Sequence, residues 1–85
     1  MSDEHHSLTI TVVTGRGEKT YTLPKQTKVQ EVIDRAVSDF GYPPSDKYIL
    51  TRKKTGEELK PERPLVSYGI DDGEILVLSA VGSGV

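Results

Sequence analysis

The stretch Glu74–Ala80, EILVLSA, decides the fold because it is apolar on both faces of an extended chain. In a β-strand, successive side chains point to opposite sides, so Ile75 and Val77 share one face while Leu76 and Leu78 share the other. The run contains the β-branched residues Ile75 and Val77, and it is far shorter than the roughly 20 residues of a membrane helix. We expect it to lie inside a sheet, with one face on a core and the other available to a partner.

Composition limits the class of protein to a small single domain. The chain has 85 residues, which leaves no room for a second core. It has no cysteine, which excludes disulfides, thiolate metal sites and cysteine nucleophiles and fits a reducing compartment. The formal net charge of -2 argues against a nucleic-acid partner. With no signal peptide or membrane-length apolar run, we expect a cytoplasmic protein without a membrane partner, monomeric when free.

The first part of the chain predicts a β-hairpin. Apolar residues alternate with threonines over residues 8–14 until Val13 breaks the pattern, and a second alternating run covers residues 18–23. The Gly-Arg-Gly sequence at 15–17 joins the two runs as a turn, since glycine adopts positive φ angles readily. Pro24 ends the second strand because it cannot donate to the ladder.

A helix follows the hairpin. Thr27 and Gln30 have the spacing of a capping box, which predicts that Thr27 caps the first free amides. Apolar residues then recur at helical intervals from Val29 to Phe40 and form one stripe. Gly41 is placed to end the helix in the left-handed region, and two prolines after it prevent continuation.

The remaining segments predict a mixed sheet that packs on this helix. Residues 47–52 read as a third strand, 57–59 as a short edge strand and 65–70 as a helical turn. A right-handed crossover can place the final strand beside the first. The fold class is therefore α+β, with a mixed four- to five-stranded sheet on one helix and a flexible C-terminal tail. We expect a disordered lead over 1–7, the folded domain over 8–79 and the tail over 80–85.

Three pieces of the chain resemble ubiquitin and its relatives. They are Gly-Tyr-Pro-Pro at 41–44, Leu-Val-Ser-Tyr-Gly-Ile at 65–70 and Leu-Val-Leu at 76–78, and the similarity spans about residues 8–84. Gly69 stands where the family often has asparagine, and both residues tolerate positive φ. The resemblance implies the ubiquitin-like β-grasp fold.

The resemblance also implies a reactive C-terminus. Gly84 falls on the family's terminal glycine, and Val85 is an extension that has to be removed. In conjugated members an activating enzyme uses ATP to adenylate this glycine, a conjugating enzyme carries it as a thioester, and a target amine receives it. The protein itself would need no cofactor. The tail that would enter the enzyme channel consists of Ala80, Val81, Gly82 and Ser83, with a reach of roughly 15 Å to Gly84.

The tail departs from the family's usual pattern. Ser83 replaces the first glycine of the usual pair, and Ala80 and Gly82 stand where arginines are common. These departures fit better the bacterial ubiquitin-like modifiers that are encoded beside their own activating enzyme, conjugating enzyme and JAB-type metalloprotease. The protease would be the enzyme that processes Val85.

The sheet also offers a candidate partner-binding surface. If Ile49 faces the core, Tyr48 and Leu50 face away from it, and with Leu76 and Leu78 they resemble the hydrophobic patch that holds ubiquitin-like domains on their partners. The plainer interpretation is that they are scattered surface residues or are covered by a self-contact.

Two further groups of residues favour plain interpretations. His5 and His6 lack further ligands, so we predict no metal site. The basic residues at 52–54, with Lys60 and Arg63, read as a solvated turn in preference to a contact for an acidic partner, since glutamates are interleaved.

The sequence leaves three functional hypotheses. The first is a protein modifier that is joined to targets through Gly84, and the second is a non-conjugated ubiquitin-like adaptor. The third, a sulfur carrier, is disfavoured because its relatives usually end in two glycines and Ser83 breaks that pair. We expect no enzymatic activity, because the chain lacks the convergent titratable groups of a catalytic pocket.

Overall fold

The computed structural model describes residues 7–81, which form a five-stranded mixed sheet with one helix across one face. The elements in chain order are β1 (Ser7–Thr14), β2 (Gly17–Pro24), α1 (Val29–Phe40), β3 (Tyr48–Arg52), β4 (Glu58–Leu59), a 3-10 helix (Leu65–Tyr68) and β5 (Glu74–Ala80). The strand order is β2-β1-β5-β3-β4. This confirms the predicted ubiquitin-like β-grasp fold. Among residues 7–81, no helix is long and apolar enough to span a membrane.

Strand β5 lies at the centre of the sheet, as its sequence predicts. It runs parallel to β1, where Leu76 is the partner of Val12, and antiparallel to β3, where Leu78 is the partner of Leu50. The β1–β5 pair is the parallel one, and the other three strand pairs are antiparallel. Pairing on both sides satisfies the backbone groups of β5, which allows both of its faces to be apolar.

The prediction of which face is exposed is wrong. Leu50 and Leu76 are 0% exposed and Leu78 is 5% exposed, so all three lie in the core under α1. Ile75, on the opposite face of β5 from these leucines, is 38% exposed. Tyr48 is partly buried: it packs against the edge of the core and its hydroxyl donates to the Pro43 carbonyl at 2.6 Å.

The register of the sheet explains this reversal. Ile10 and Val12 of β1 are 0% exposed, and their alternation with threonines marks their face as the core face. Because Leu76 is the partner of Val12, it shares that face, and the pairing of Leu78 with Leu50 extends the face to β3. Alternation within a single strand could not decide between two apolar faces.

The beginning of α1 also differs from the prediction. The helix begins at Val29, and its N-cap Lys28 makes no side-chain capping bond, so Thr27 is not the cap. The Gln30 amide group donates instead to Asp34 at 2.8 Å. The backbone amides of Val29 and Gln30 lie in the first turn, where the helix itself offers no acceptor. They donate to the carbonyls of Arg63 and Pro61, both at 2.9 Å. A distant loop therefore satisfies this helix terminus.

The end of α1 is closed partly as predicted and partly by the hairpin. Gly41 adopts the left-handed region, with φ 72°. In addition, Nη1 of Arg16, in the β1–β2 turn, donates to the carbonyls of Phe40 and Gly41 at 2.9 and 3.0 Å. The same guanidinium lies 4.5 Å from the centroid of the Tyr42 ring. A cation at the C-terminal carbonyls also opposes the helix dipole favourably.

A buried ion pair joins β3 to the first residue of β5. Nε of Arg52 lies 2.9 Å from Oε2 of Glu74, and Nη2 lies 3.2 Å from Oε1. Arg52 also donates to the carbonyls of Tyr68 and Gly69 at 3.0 and 3.1 Å, which attaches the 3-10 helix to the sheet. The side chains are only 13% and 4% exposed, so the predicted solvated basic turn is wrong for Arg52. The hydrogen bond from Arg52 lowers the pKa of Glu74, although burial opposes that shift.

This ion pair predicts a loss of stability in acid. Because the pKa of Glu74 is lower in the folded chain than its ordinary value of 4.5, ionised Glu74 stabilises the fold above that value. The contribution disappears as the pH falls through the lowered pKa. We expect Glu74→Gln to lower the midpoint of urea denaturation at neutral pH, and we expect the difference from the wild type to shrink as the pH falls below about 4.5.

The matched control is Glu62→Gln, which changes an exposed glutamate outside this ion pair in the same way. Its midpoint should follow that of the wild type. A gap for Glu74→Gln that stays constant over the whole pH range would show that ionisation of Glu74 does not stabilise the fold.

The burial pattern of β5 predicts a large loss of stability at one position and a small loss at its neighbour. Leu76→Ala removes a side chain that is 0% exposed and should lower the free energy of unfolding by about 2–5 kcal/mol. Ile75→Ala changes a side chain on the outer face and should cost less than about 1 kcal/mol. Urea denaturation of both variants measures the difference. Equal losses would contradict the assignment of the two faces.

Candidate functional site

The outer face of the sheet, opposite α1, carries an apolar cluster. Its members are Val13 of β1, Ile49 of β3, and Ile75 and Val77 of β5, and we call these four residues the sheet patch. Val77 is the partner of Val13 on one side and of Thr51 on the other, which places it in the middle strand of the cluster. Ile75 is 38% exposed and the other three are partly exposed.

Toward β2 the outer face becomes polar. Thr9 and Thr11 of β1 stand opposite Thr22 and Thr20 of β2, and each pair of hydroxyl oxygens lies 3.2 Å apart. Cross-strand threonine pairs of this kind stabilise a sheet without adding apolar surface. The sheet patch is therefore bounded on this side by a row of hydroxyl groups.

Charged residues border the sheet patch at the beginning of β5. A shallow cleft of about 560 Å³ next to Ile75 is lined by Lys53, Lys54, Asp71 and Asp72. Lys53 is joined to β5 because its amide donates to the Ile75 carbonyl at 3.0 Å. An apolar centre with a charged rim is the usual composition of a protein-binding surface.

The structure replaces most of the predicted surface residues. Leu50, Leu76 and Leu78 are core residues and are not available to a partner, whereas Tyr48 lies at the edge of β3. The sequence held a signal for the actual surface in Val13. This residue interrupts the row of threonines on the outward face of β1, and it pairs with Val77.

Two residues of the predicted tail lie on the sheet. Ala80 is still part of β5 as the partner of Tyr48, and the Val81 amide donates to the Lys47 carbonyl at 2.9 Å. The folded part of the chain thus extends beyond the predicted boundary of 79. The predicted site residues Gly82, Ser83, Gly84 and Val85 lie outside the described residues, as do His5 and His6.

Solved structures similar to this chain are ubiquitin-like. A protein designed de novo on the basis of ubiquitin has 28% identity and a TM-score of 0.78, over 93% of this chain and 94% of its own. The ubiquitin of Caldiarchaeum subterraneum has 26% identity and a TM-score of 0.76, over 93% of this chain and 99% of its own. The ubiquitin-like domain of an Arabidopsis thaliana protein, at 20% identity and a TM-score of 0.77 over 94% of this chain and 83% of its own, shows the fold alone. No curated protein matches the chain.

A protein-family model matches residues 8–78, which is most of the chain. Its description is "WXG100 protein secretion system (Wss), protein YukD". The matched range runs from β1 to near the end of β5 and includes all four residues of the sheet patch. The chain therefore belongs to the YukD family of ubiquitin-like proteins.

Proposed function

We propose that this protein is a non-conjugated ubiquitin-like adaptor that binds a protein component of a WXG100 secretion system through the sheet patch. The observation that carries the proposal is the extent of the family match. Residues 8–78 include Val13, Ile49, Ile75 and Val77 but none of the predicted tail at 80–85. The second of our sequence hypotheses is therefore favoured over the first.

The sheet patch has physical properties that suit binding. Its four residues are β-branched, and such side chains have few rotamers, so ordering them against a partner costs little entropy. They stand on three adjacent strands that are held by ladder hydrogen bonds, which makes the surface rigid before a partner arrives. Burying apolar surface contributes roughly 25 cal/mol per Å².

The geometry of β5 gives less support to the modifier hypothesis. That hypothesis needs Gly84 to enter the active site of an activating enzyme and then of a conjugating enzyme. The pairing of Ala80 with Tyr48 and the bond from Val81 to Lys47 keep two of the predicted tail residues on the sheet. A JAB-type protease that removes Val85 belongs to the same hypothesis.

The proposal predicts that the sheet patch is needed and Gly84 is not. In cells that produce this protein and secrete a WXG100 protein, the double variant Ile75→Asp/Val77→Asp should reduce secretion by about tenfold or more. Buried carboxylates at these positions would oppose docking. Cells with the Gly84→Ala variant should secrete the WXG100 protein at the wild-type level. The amount of WXG100 protein in the medium measures both effects.

The matched control is Thr20→Asp/Thr22→Asp, which adds the same charge to exposed positions of the same sheet face, on β2. This control should secrete normally, and circular dichroism should show that all variants are folded. Normal secretion by the sheet-patch variant would contradict the adaptor proposal. Loss of secretion in Gly84→Ala, together with branched peptides that carry the tail in mass spectra, would favour the modifier.

A further inference from the structure

A groove lies between α1 and the β3–β4 edge of the sheet. Its volume is about 890 Å³, and it is lined by α1, by the loop between α1 and β3, by the beginning of β3, by β4 and by Pro61. The apolar part of its lining is Ile33, Val37, Tyr42, Pro44, Tyr48, Ile49, Leu59 and Pro61, of which Ile49 also belongs to the sheet patch. We call it the helix–strand groove.

The backbone of β3 alternates in the direction of its hydrogen-bonding groups. The Lys47 carbonyl accepts from Val81 at 2.9 Å, and the Lys53 amide donates to Ile75 at 3.0 Å, so the odd-numbered residues of this segment turn toward β5. The even-numbered residues must turn the other way. The amide of Arg52 does so, since it donates to the Glu57 carbonyl at 2.8 Å. The backbone N–H and C=O of Tyr48 therefore point away from β5.

Pro61 prevents β4 from reaching these groups. The β3–β4 register pairs Leu50 with Leu59, and two more residues of pairing would bring Pro61 opposite Tyr48. Proline has no N–H to donate, and the Pro61 carbonyl already accepts from Gln30 at 2.9 Å. Within residues 7–81 no strand lies beside Tyr48 on this side, so its N–H and C=O open onto the helix–strand groove.

We propose that the helix–strand groove binds an extended segment of a partner protein, which adds one strand to the edge of β3 at Tyr48. An open strand edge gives affinity through backbone hydrogen bonds, and adjacent pockets select the side chains. Alternate side chains of the segment would pack on Tyr42, Tyr48 and Pro61, the partly exposed apolar residues of the lining. This site shares Ile49 with the sheet patch, but its open backbone edge and its other lining residues lie outside that patch.

The charges around the groove select a basic segment. Three carboxylates, of Asp34, Asp46 and Glu58, and one amine, of Lys47, line it. All four side chains belong to exposed residues. Complementary charge raises the rate of association and disfavours acidic segments. The expected ligand is therefore an extended peptide in which apolar and basic residues alternate.

A capped peptide of alternating valine and lysine tests the proposal directly. In NMR spectra of the labelled protein, its binding should shift the signals of Tyr48 and Ile33 and slow hydrogen exchange of the Tyr48 amide at least tenfold. The exchange measurement reports the new backbone bond itself. The same peptide with alternate amides N-methylated, so that it cannot pair with a strand, should bind at least tenfold more weakly.

A second set of variants tests whether the carboxylates around the groove are needed to bind the basic peptide. Asp34→Lys/Glu58→Lys should weaken binding of the lysine peptide at least tenfold, whereas Glu18→Lys/Glu62→Lys, with the same charge change outside the groove lining, should weaken it much less. Ile75→Asp/Val77→Asp should still bind the peptide. The proposal is overturned if no binding occurs at millimolar peptide or if N-methylation has no effect. It is also overturned if the shifts fall on Val13, Ile75 and Val77, or if the Tyr48 amide is already protected in the free protein.

Discussion

The structure depends on the register of β5 between β1 and β3. Because Leu76 pairs with Val12 and Leu78 with Leu50, the leucines of β5 complete the core that begins with the hairpin. The same register places Ile75 and Val77 on the outer face. A shift by one residue would exchange the two sets and leave the leucines in water. The core and the proposed partner surface are thus two results of a single alignment.

The Arg52–Glu74 pair supports that alignment at the point where β5 begins. Taking two charges out of water costs free energy, so such a pair adds less to stability than its short distances suggest. Its geometry, however, is directional. Four donated hydrogen bonds of Arg52 reach Glu74 and the carbonyls of Tyr68 and Gly69, which fixes the turn before β5 relative to β3. We interpret the pair as a device that selects the register.

The sequence was sufficient to predict the fold because the patterns that indicate each element are local. Alternation with threonines, the helical stripe from Val29 to Phe40 and the glycines at the ends of elements each depend on near neighbours, and Gly41 and Gly69 both have the expected positive φ. Neighbouring residues in the sequence do not determine which face of β5 is exposed. Both faces of β5 are apolar, and the choice between them depends on which strand lies beside it.

The candidate sites were harder to predict for the same reason. Tyr48 was predicted as part of a different surface. It lies at an open strand edge because Pro61, 13 positions later, ends the neighbouring strand, and only the register reveals this. Arg52 looked solvated because its nearest neighbours in the sequence are charged and polar. Its partner Glu74 is 22 residues away, a separation at which composition carries no information about contact.

The two ends of α1 have a consequence for how the chain folds. A helix of 12 residues is marginal in water by itself, and here its first amides and last carbonyls find partners in Pro61, Arg63 and Arg16, far along the chain. The helix therefore gains full stability only after the hairpin and the late loop have closed around it. Folding of this domain should be highly cooperative, with no autonomous helical intermediate to expose the apolar stripe to aggregation.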